Sequence, residues 1–259
     1  MAFIDHNYPE QFKIIDDPYI THLTAHLSTN DCVQPEFNRF VKKVFQQIFI
    51  HIMNNEWPKE KVELKTRMTD LHPEVRLQSN QFLKTQKGVL VDVARAGMLP
   101  SQIFFDELTE LVNLEGLRID HIFASRATNE KGEVTGTDIS GSKIGGDVDD
   151  SILIIPDPMG ATGSSLCEVI DHYKKNVPGK ISKIIAAHMI ITPEYIKKLN
   201  ETHPEVIVYS ARLDRGFSSE KALTQPPGSL WAEECGLNDS QYIVPGAGGV
   251  GELINNSFV

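Results

Sequence analysis

Ser151-Ile152-Leu153-Ile154-Ile155-Pro156-Asp157-Pro158-Met159-Gly160-Ala161-Thr162-Gly163-Ser164-Ser165-Leu166 is the stretch that decides how this chain is read. The aliphatic run Ile152 to Ile155 predicts a short strand buried on both faces. An acidic residue follows, then small and hydroxyl residues, then a helical pattern in which Leu166, Val169, Ile170 and Tyr173 recur at spacings of three and four. Small residues let the backbone approach a ligand, and the free N–H groups at a helix amino terminus meet it with the favourable end of the dipole. A phosphate fits such a turn. Thr162, Ser164 and Ser165 add hydroxyl donors, while the Asp157 carboxylate suits two hydrogen bonds from a vicinal diol. The same residues also make ordinary helix caps, so the turn by itself admits both readings.

Outward from this stretch the strand–loop–helix pattern repeats. Val89 to Val93 is a strand, Arg95-Ala96-Gly97 a loop, and Ile103, Phe104, Leu108 and Leu111 a helical stripe. Leu117 to Ala124, Ile181 to Ile191 and Val206 to Ser210 read as further strands, with a helix from Pro193 to Asn200. Near-continuous apolar strands alternating with helices predict an α/β fold with a parallel twisted sheet flanked by helices. Upstream, Phe37, Val41, Val44, Phe45, Ile48 and Ile52 form one stripe of an amphipathic helix from Glu36 to Asn54. Two long stretches, Ala127 to Asp150 and Phe217 to Gln241, lack apolar period and read as loops of the functional or mobile kind. No fixed-period repeat or linker divides the chain, which reads as a single domain, 1–259.

The 259 residues are 41% hydrophobic, enough for a substantial core. With 35 acidic against 25 basic side chains, the net charge of −10 repels nucleic acid and acidic membranes, so a polyanionic substrate needs a local cationic site. No apolar run approaches the roughly 20 residues of a membrane span, and the amino terminus lacks the pattern of a secretory signal. Cys32, Cys167 and Cys235, odd in number and widely spaced, read as free thiols. A cytoplasmic location is the expectation.

The segment Asp157 to Ser165 closely resembles the phosphoribosyl diphosphate (PRPP) loop of the phosphoribosyltransferases, in the Asp-Pro-Met-x-Ala-Thr-Gly form of the uracil phosphoribosyltransferases. Other landmarks follow in order. Arg95-Ala96-Gly97 is similar to the family's diphosphate loop, Arg126 to its second cationic contact and Lys143 to the lysine of its flexible loop. His203-Pro204-Glu205-Val206 and Asp214-Arg215-Gly216 match its late strand, and Tyr242-Ile243-Val244-Pro245-Gly246 its base-binding segment. The likeness runs from about Gly88 to Glu252 and extends plausibly back to about His22.

The resemblance implies a type I phosphoribosyltransferase fold with a small hood or tail lobe. It implies a helical arm over 1–60, a flexible loop over 127–150, and an inserted loop plus base-binding tail over 217–259. It further implies that uracil and PRPP give UMP and diphosphate in pyrimidine salvage, with Mg²⁺ bound mainly through PRPP and no metal ligands of the protein's own. Asp157, Arg95 and Arg126 would then be catalytic. PRPP would rest on Asp157, Pro158, Met159, Gly160, Ala161, Thr162, Gly163, Ser164, Ser165 and Lys143. Uracil would meet Tyr242, Ile243, Gly248, Gly249 and Val250, largely through backbone groups. The family is commonly a homodimer or homotetramer, sometimes with a GTP effector.

Two departures stand out. The family tail reads Gly-x-Gly-Asp-x-Gly-Asp, whereas this chain has Gly246-Ala247-Gly248-Gly249-Val250-Gly251-Glu252, so an aspartate on the PRPP side becomes Gly249. The stretch between Gly216 and Tyr242 is also longer than the family's. These leave open transfer to another base, or a PRPP- or nucleotide-binding regulatory homologue with little turnover. The tail also satisfies G-x-G-x-x-G, but no βαβ unit follows it. His22 and His26, four apart, lack a third metal ligand, and Asp147, Asp149 and Asp150 read as turn formers. Trp57 and Trp231 are placed in loops.

Overall fold

The computed structural model describes residues 2–128 and 134–257, with backbone alone for 125–128 and 134–137. In chain order the elements are β1 (Ala2–Phe3), β2 (Phe12–Asp16), α1 (Pro18–Leu27), α2 (Glu36–Glu56), β3 (Lys59–Leu64), β4 (Leu77–Phe82), β5 (Lys87–Ala94), α3 (Met98–Thr109), β6 (Leu117–Thr128), β7 (Val134–Lys143), β8 (Ser151–Pro156), β9 (Met159–Gly160), α4 (Ser164–Asn176), β10 (Lys183–Ile191), α5 (Pro193–Thr202), β11 (Ile207–Leu213), α6 (Glu220–Leu223) and α7 (Val250–Asn255). The main sheet runs β1-β2-β11-β10-β8-β5-β6-β7, with β9 beside β10. From β2 to β6 neighbouring strands are parallel, and the edge strands β1 and β7 are antiparallel to theirs. The α/β sheet expected from the aliphatic runs is therefore present.

Alternation along β8 shows why the run had to be apolar throughout. Ile152 and Ile154 join the core layer under α1, α2 and α3, while Leu153 and Ile155 join the layer under α4 and α5. The α2 stripe closes the first layer: Phe37, Val41, Val44, Phe45, Ile48 and Ile52 all have no exposed surface. Burying each such side chain contributes about 1.5–3 kcal/mol. Trp57, expected in a loop, ends α2 inside this core, its ring against the backbone of Gly88, where a Cβ would sit 3.0 Å from Cη2.

Three further expectations are corrected, and one element is new. The segment 1–60 is not only a helical arm, because β2 extends the sheet by pairing Phe12, Lys13 and Ile14 with Val208, Tyr209 and Ser210. Residues 59–82 form a separate two-stranded sheet, β3 with β4, which the sequence reading did not anticipate. The segment 127–150 is not a loop throughout: Val134 to Lys143 forms an edge strand beside β6, and 129–133 lie outside the described residues. The insertion is likewise built, with α6, a 3₁₀ turn at Trp231–Glu233 and a buried anchor. In that anchor the Glu234 carboxylate accepts from Arg215 at 3.0 Å, from the Gly228 N–H at 2.9 and 3.0 Å, and from the Tyr8 hydroxyl. The Trp231 ring packs on Tyr8 at 5.2 Å between centroids.

Glu234 has no side-chain exposure and Arg215 only 12%. Replacing Glu234 by Ala leaves a buried guanidinium unpaired, which is expected to destabilise the chain by about 3–5 kcal/mol. Denaturant unfolding measures the loss, and limited proteolysis should cut first within 217–241.

Candidate active site

The sheet order places the site. From β5 the chain moves outward to β6, whereas from β8 it moves the other way to β10 and β11, so strand order reverses between β5 and β8. Loops leaving adjacent parallel strands in opposite directions open a crevice at their carboxyl ends. The two loops here are Arg95 to Gly97 and Asp157 to Gly163, the two that sequence reading singled out. They abut closely: a Cβ on Gly97 would meet the Val93 backbone at 2.8 Å and the Pro156 carbonyl at 3.1 Å. Only a residue without a side chain lets the loops come so near.

The turn after β8 is open to solvent. Ala161, Thr162, Ser164 and Ser165 are half-buried, and Gly163, at φ 79°, takes the left-handed conformation that turns the chain into α4. The capping reading is partly realised, since Thr162 Oγ1 accepts from the Ser164 N–H at 3.3 Å and lies 3.3 Å from Ser164 Oγ. Buried Leu166, Val169, Ile170 and Tyr173 fix α4 against the sheet, with its amino end at the turn.

Asp157 stands at the foot of this turn, one carboxylate oxygen accepting from the Met159 N–H at 3.1 Å. Burial pushes its carboxyl up to about 6, the Met159 hydrogen bond opposes that shift, and the charge of Asp92 adds to it. Asp92 was missed by the sequence reading. It lies buried on β5 with Oδ2 2.7 Å from Nδ1 of the half-exposed His121, and its Oδ1 has no hydrogen-bond partner among the described residues. Burial raises the Asp92 carboxyl, and His121 works against that rise. A charge inside Val89-Leu90-Val91-Asp92-Val93 was the available signal, because an acidic side chain seldom enters a buried strand unpaired.

Arg95 is exposed on its loop, and its Nη1 donates to Ser257 Oγ at 3.2 Å. The tail therefore meets the diphosphate loop, and α7 adds a second contact where Gly251 faces Ala96. An ion pair holds the tail's turn. Arg212 grips Asp214 at 2.7 and 2.8 Å, Asp214 accepts from the Gly246 N–H at 2.7 Å, and Arg212 donates to the Gly246 carbonyl at 3.0 Å. Ile243 and Val250 are buried, at 6% and 2% exposure, and the Val250 N–H donates to the Gly248 carbonyl at 3.0 Å. Tyr242 is exposed, and Gly248, at φ 69°, faces open space. Gly249 is not simply a lost carboxylate: a Cβ there would lie 2.5 Å from Oε2 of Glu252, whose own carboxylate has folded over the glycine.

One expected residue is not brought to the turn. Lys143 is exposed at the end of β7, in register with His121, and β7 lies three strands from β8, about 14 Å at normal strand spacing. The side chain of Arg126 lies outside the described residues. His22 and His26 are exposed and meet edge to face with ring centroids 5.3 Å apart, Asp147 and Asp149 accept from loop N–H groups, and among the described residues no group of three or more His, Cys, Asp or Glu could hold a metal.

The profile described as uracil phosphoribosyltransferase matches residues 14–230. A uracil phosphoribosyltransferase of Streptococcus mutans is 30% identical over 246 residues, covering 94% of this chain and 97% of that one. One from Ligilactobacillus salivarius is 27% identical with the same coverage. Among solved structures, the AQ2163 protein of Aquifex aeolicus superposes with a TM-score of 0.68 at 20% identity, covering 94% of this chain and 97% of its own, which shows a shared fold.

Asp157→Asn keeps the acceptor for the Met159 N–H and removes a charge that burial disfavours. The folded carboxyl, at about 6, lies above the ordinary value of 3.8, so the ionised wild type is penalised at pH 7.5. The variant should be more stable there by about 1–3 kcal/mol, and the difference should close as pH falls from about 6 toward 4. Melting curves across that pH range test it.

Proposed function

The chain belongs to the uracil phosphoribosyltransferase family, and on that premise we propose that it joins uracil to PRPP, giving UMP and diphosphate in pyrimidine salvage. The observation carrying this reading is the meeting of the Arg95 loop and the Asp157 turn at one crevice. In this reading the amides and hydroxyls from Ala161 to Ser165 hold the 5-phosphate, and the Asp157 carboxylate accepts from the two ribose hydroxyls. A guanidinium fork at Arg95 suits diphosphate oxygens because it binds bidentately and stays charged. In the same reading the base meets backbone groups of the segment holding Ile243 and Gly248 to Val250, with Tyr242 beside them.

The bond between the anomeric carbon and diphosphate breaks while the base nitrogen bonds to that carbon and loses its proton. Catalysis then consists of alignment plus stabilisation of the departing diphosphate, with no side-chain nucleophile. Mg²⁺ ordinarily takes one or two carboxylates together with substrate phosphates. Asp157 at the turn and Asp92, whose Oδ1 has no hydrogen-bond partner among the described residues, are the carboxylates that would fit such an ion. When bound it would neutralise charge on the diphosphate.

The whole chain is proposed as one phosphoribosyltransferase domain acting in the cytoplasm. No helix among the described residues is long and apolar enough to cross a membrane. Assembly as a homodimer or homotetramer, proposed with GTP as effector, must use a surface other than the α2 stripe, which is closed inside the core.

A second reading is favoured by the Arg95–Ser257 contact and by Gly249: a homologue that binds PRPP without efficient transfer. Incubation with radiolabelled uracil, PRPP and Mg²⁺ is expected to yield UMP, and Arg95→Ala to lower kcat/KM by about 10²–10³-fold. Affinity for PRPP should weaken as pH falls through about 6, because Asp157 then loses its charge. Calorimetric PRPP binding with no UMP formed would select the second reading.

A further inference from the structure

The Asp157 turn hangs from the neighbouring unit, β10 and α5, by bonds to its carbonyl oxygens. The Asp157 carbonyl accepts from Nδ1 of His188 at 2.6 Å, and the Pro158 carbonyl from the Met189 and Ile190 N–H groups at 3.0 and 3.2 Å. The Ala161 carbonyl accepts from Oγ1 of Thr192 at 2.6 Å. In a planar trans peptide the C=O and the following N–H point in opposite directions. Thr192, by drawing the Ala161 carbonyl back toward α5, therefore turns the Thr162 N–H forward, away from α5.

His188 and Tyr195 complete the support. Nδ1 must carry the proton it gives to the Asp157 carbonyl, so Nε2 accepts from the Tyr195 hydroxyl 2.7 Å away. Both side chains are buried, at 1% and 0% exposure, and burial holds the imidazole down to about 4, in its neutral form. The Tyr195 ring also lies directly against the turn. A Cβ on Gly160 would come within 3.0 and 3.1 Å of its ring carbons, and one on Gly163 within 3.4 Å. Thr192 links the two supports, since the hydroxyl that holds Ala161 also accepts from the Tyr195 N–H at 3.0 Å and caps α5.

We propose that Thr192, His188 and Tyr195 are positioning residues for sugar-phosphate binding, which set the direction of the turn's amides from behind without touching substrate. This rests on the phosphoribosyl-transfer reading above. The Thr192 methyl rests against Gly236, whose carbonyl accepts from the Val244 N–H, but among the described residues the Thr192 hydroxyl bonds only the Ala161 carbonyl and the Tyr195 N–H, so removing that hydroxyl while keeping the carbon skeleton should act on PRPP and leave the base alone.

The test uses the full chain with Thr192→Val, Thr192→Ser and Tyr195→Phe, scored by calorimetry with PRPP, by separate KM values for PRPP and uracil, and by melting temperature. Thr192→Val is expected to raise the Kd and KM for PRPP about tenfold, the loss of one well-placed hydrogen bond, with the uracil KM changed less than about twofold. Thr192→Ser should restore both, because it keeps the hydroxyl. Tyr195→Phe retains the ring and removes only the donor to His188, and should raise the PRPP KM by a smaller factor, on the order of threefold. Should Thr192→Val fail to fold, Tyr195→Phe carries the test.

Unchanged PRPP binding in the variants, an equal rise in both KM values, or a Ser variant as impaired as Val would overturn the proposal. If the wild type binds no PRPP, the transfer reading itself fails. The amide proton shift of Thr162 then decides whether Thr192 orients that group: movement in Thr192→Val supports it, and an unmoved shift rejects it.

Discussion

The close approach of two loops at the point where strand order reverses is the constraint on which the rest depends. Gly97 must lack a side chain for the β5 loop to rest on the Pro156 carbonyl, and β8 must be apolar on both faces to sit at the centre of the sheet. With those conditions met, one exposed guanidinium and one half-buried carboxylate face a common crevice although about sixty residues separate them in the chain. Neither loop is a site alone. Their juxtaposition is a property of topology, and the hydrogen bonds from β10 and α5 then give one of them its orientation.

A balance of opposed preferences marks the site. Asp157 is held where its charged form is disfavoured, and a chain selected for stability alone would not keep a carboxylate there. Asp92, orphaned at one oxygen, sharpens the imbalance, and His121 relieves it only in part. On the proposed reading, an arriving cation or pair of hydroxyls supplies what the folded protein withholds, and the incompletely satisfied polar groups are what prepare the crevice for ligand.

Much of this was legible in the sequence, for physical reasons that also explain what was not. The β8 run, its turn and the α2 stripe were readable because strand burial and helix periodicity are written locally. Phe12 to Asp16 carries no such local signature. It becomes a strand only because β11 offers it an edge, and pairing across nearly two hundred residues leaves no trace in a short window. The same holds for β7 and for the β3–β4 pair, whose polar residues read as loop until a partner strand satisfies their backbone. In the candidate site, Asp157 and Arg95 stand in motifs, whereas His188 and Thr192 lie in an apolar stretch and become visible only through the carbonyls they hold.

The tail that meets Arg95 has a consequence for timing. Gln34 and Asn38 accept its helix into place by donating to the Leu253 and Ile254 carbonyls, so this piece docks on segments made some two hundred residues before it. During synthesis every strand of the sheet leaves the ribosome ahead of it. On the proposed reading, the segment assigned to sugar phosphate is therefore synthesised before the one assigned to the base, and the order of translation separates the two halves of recognition.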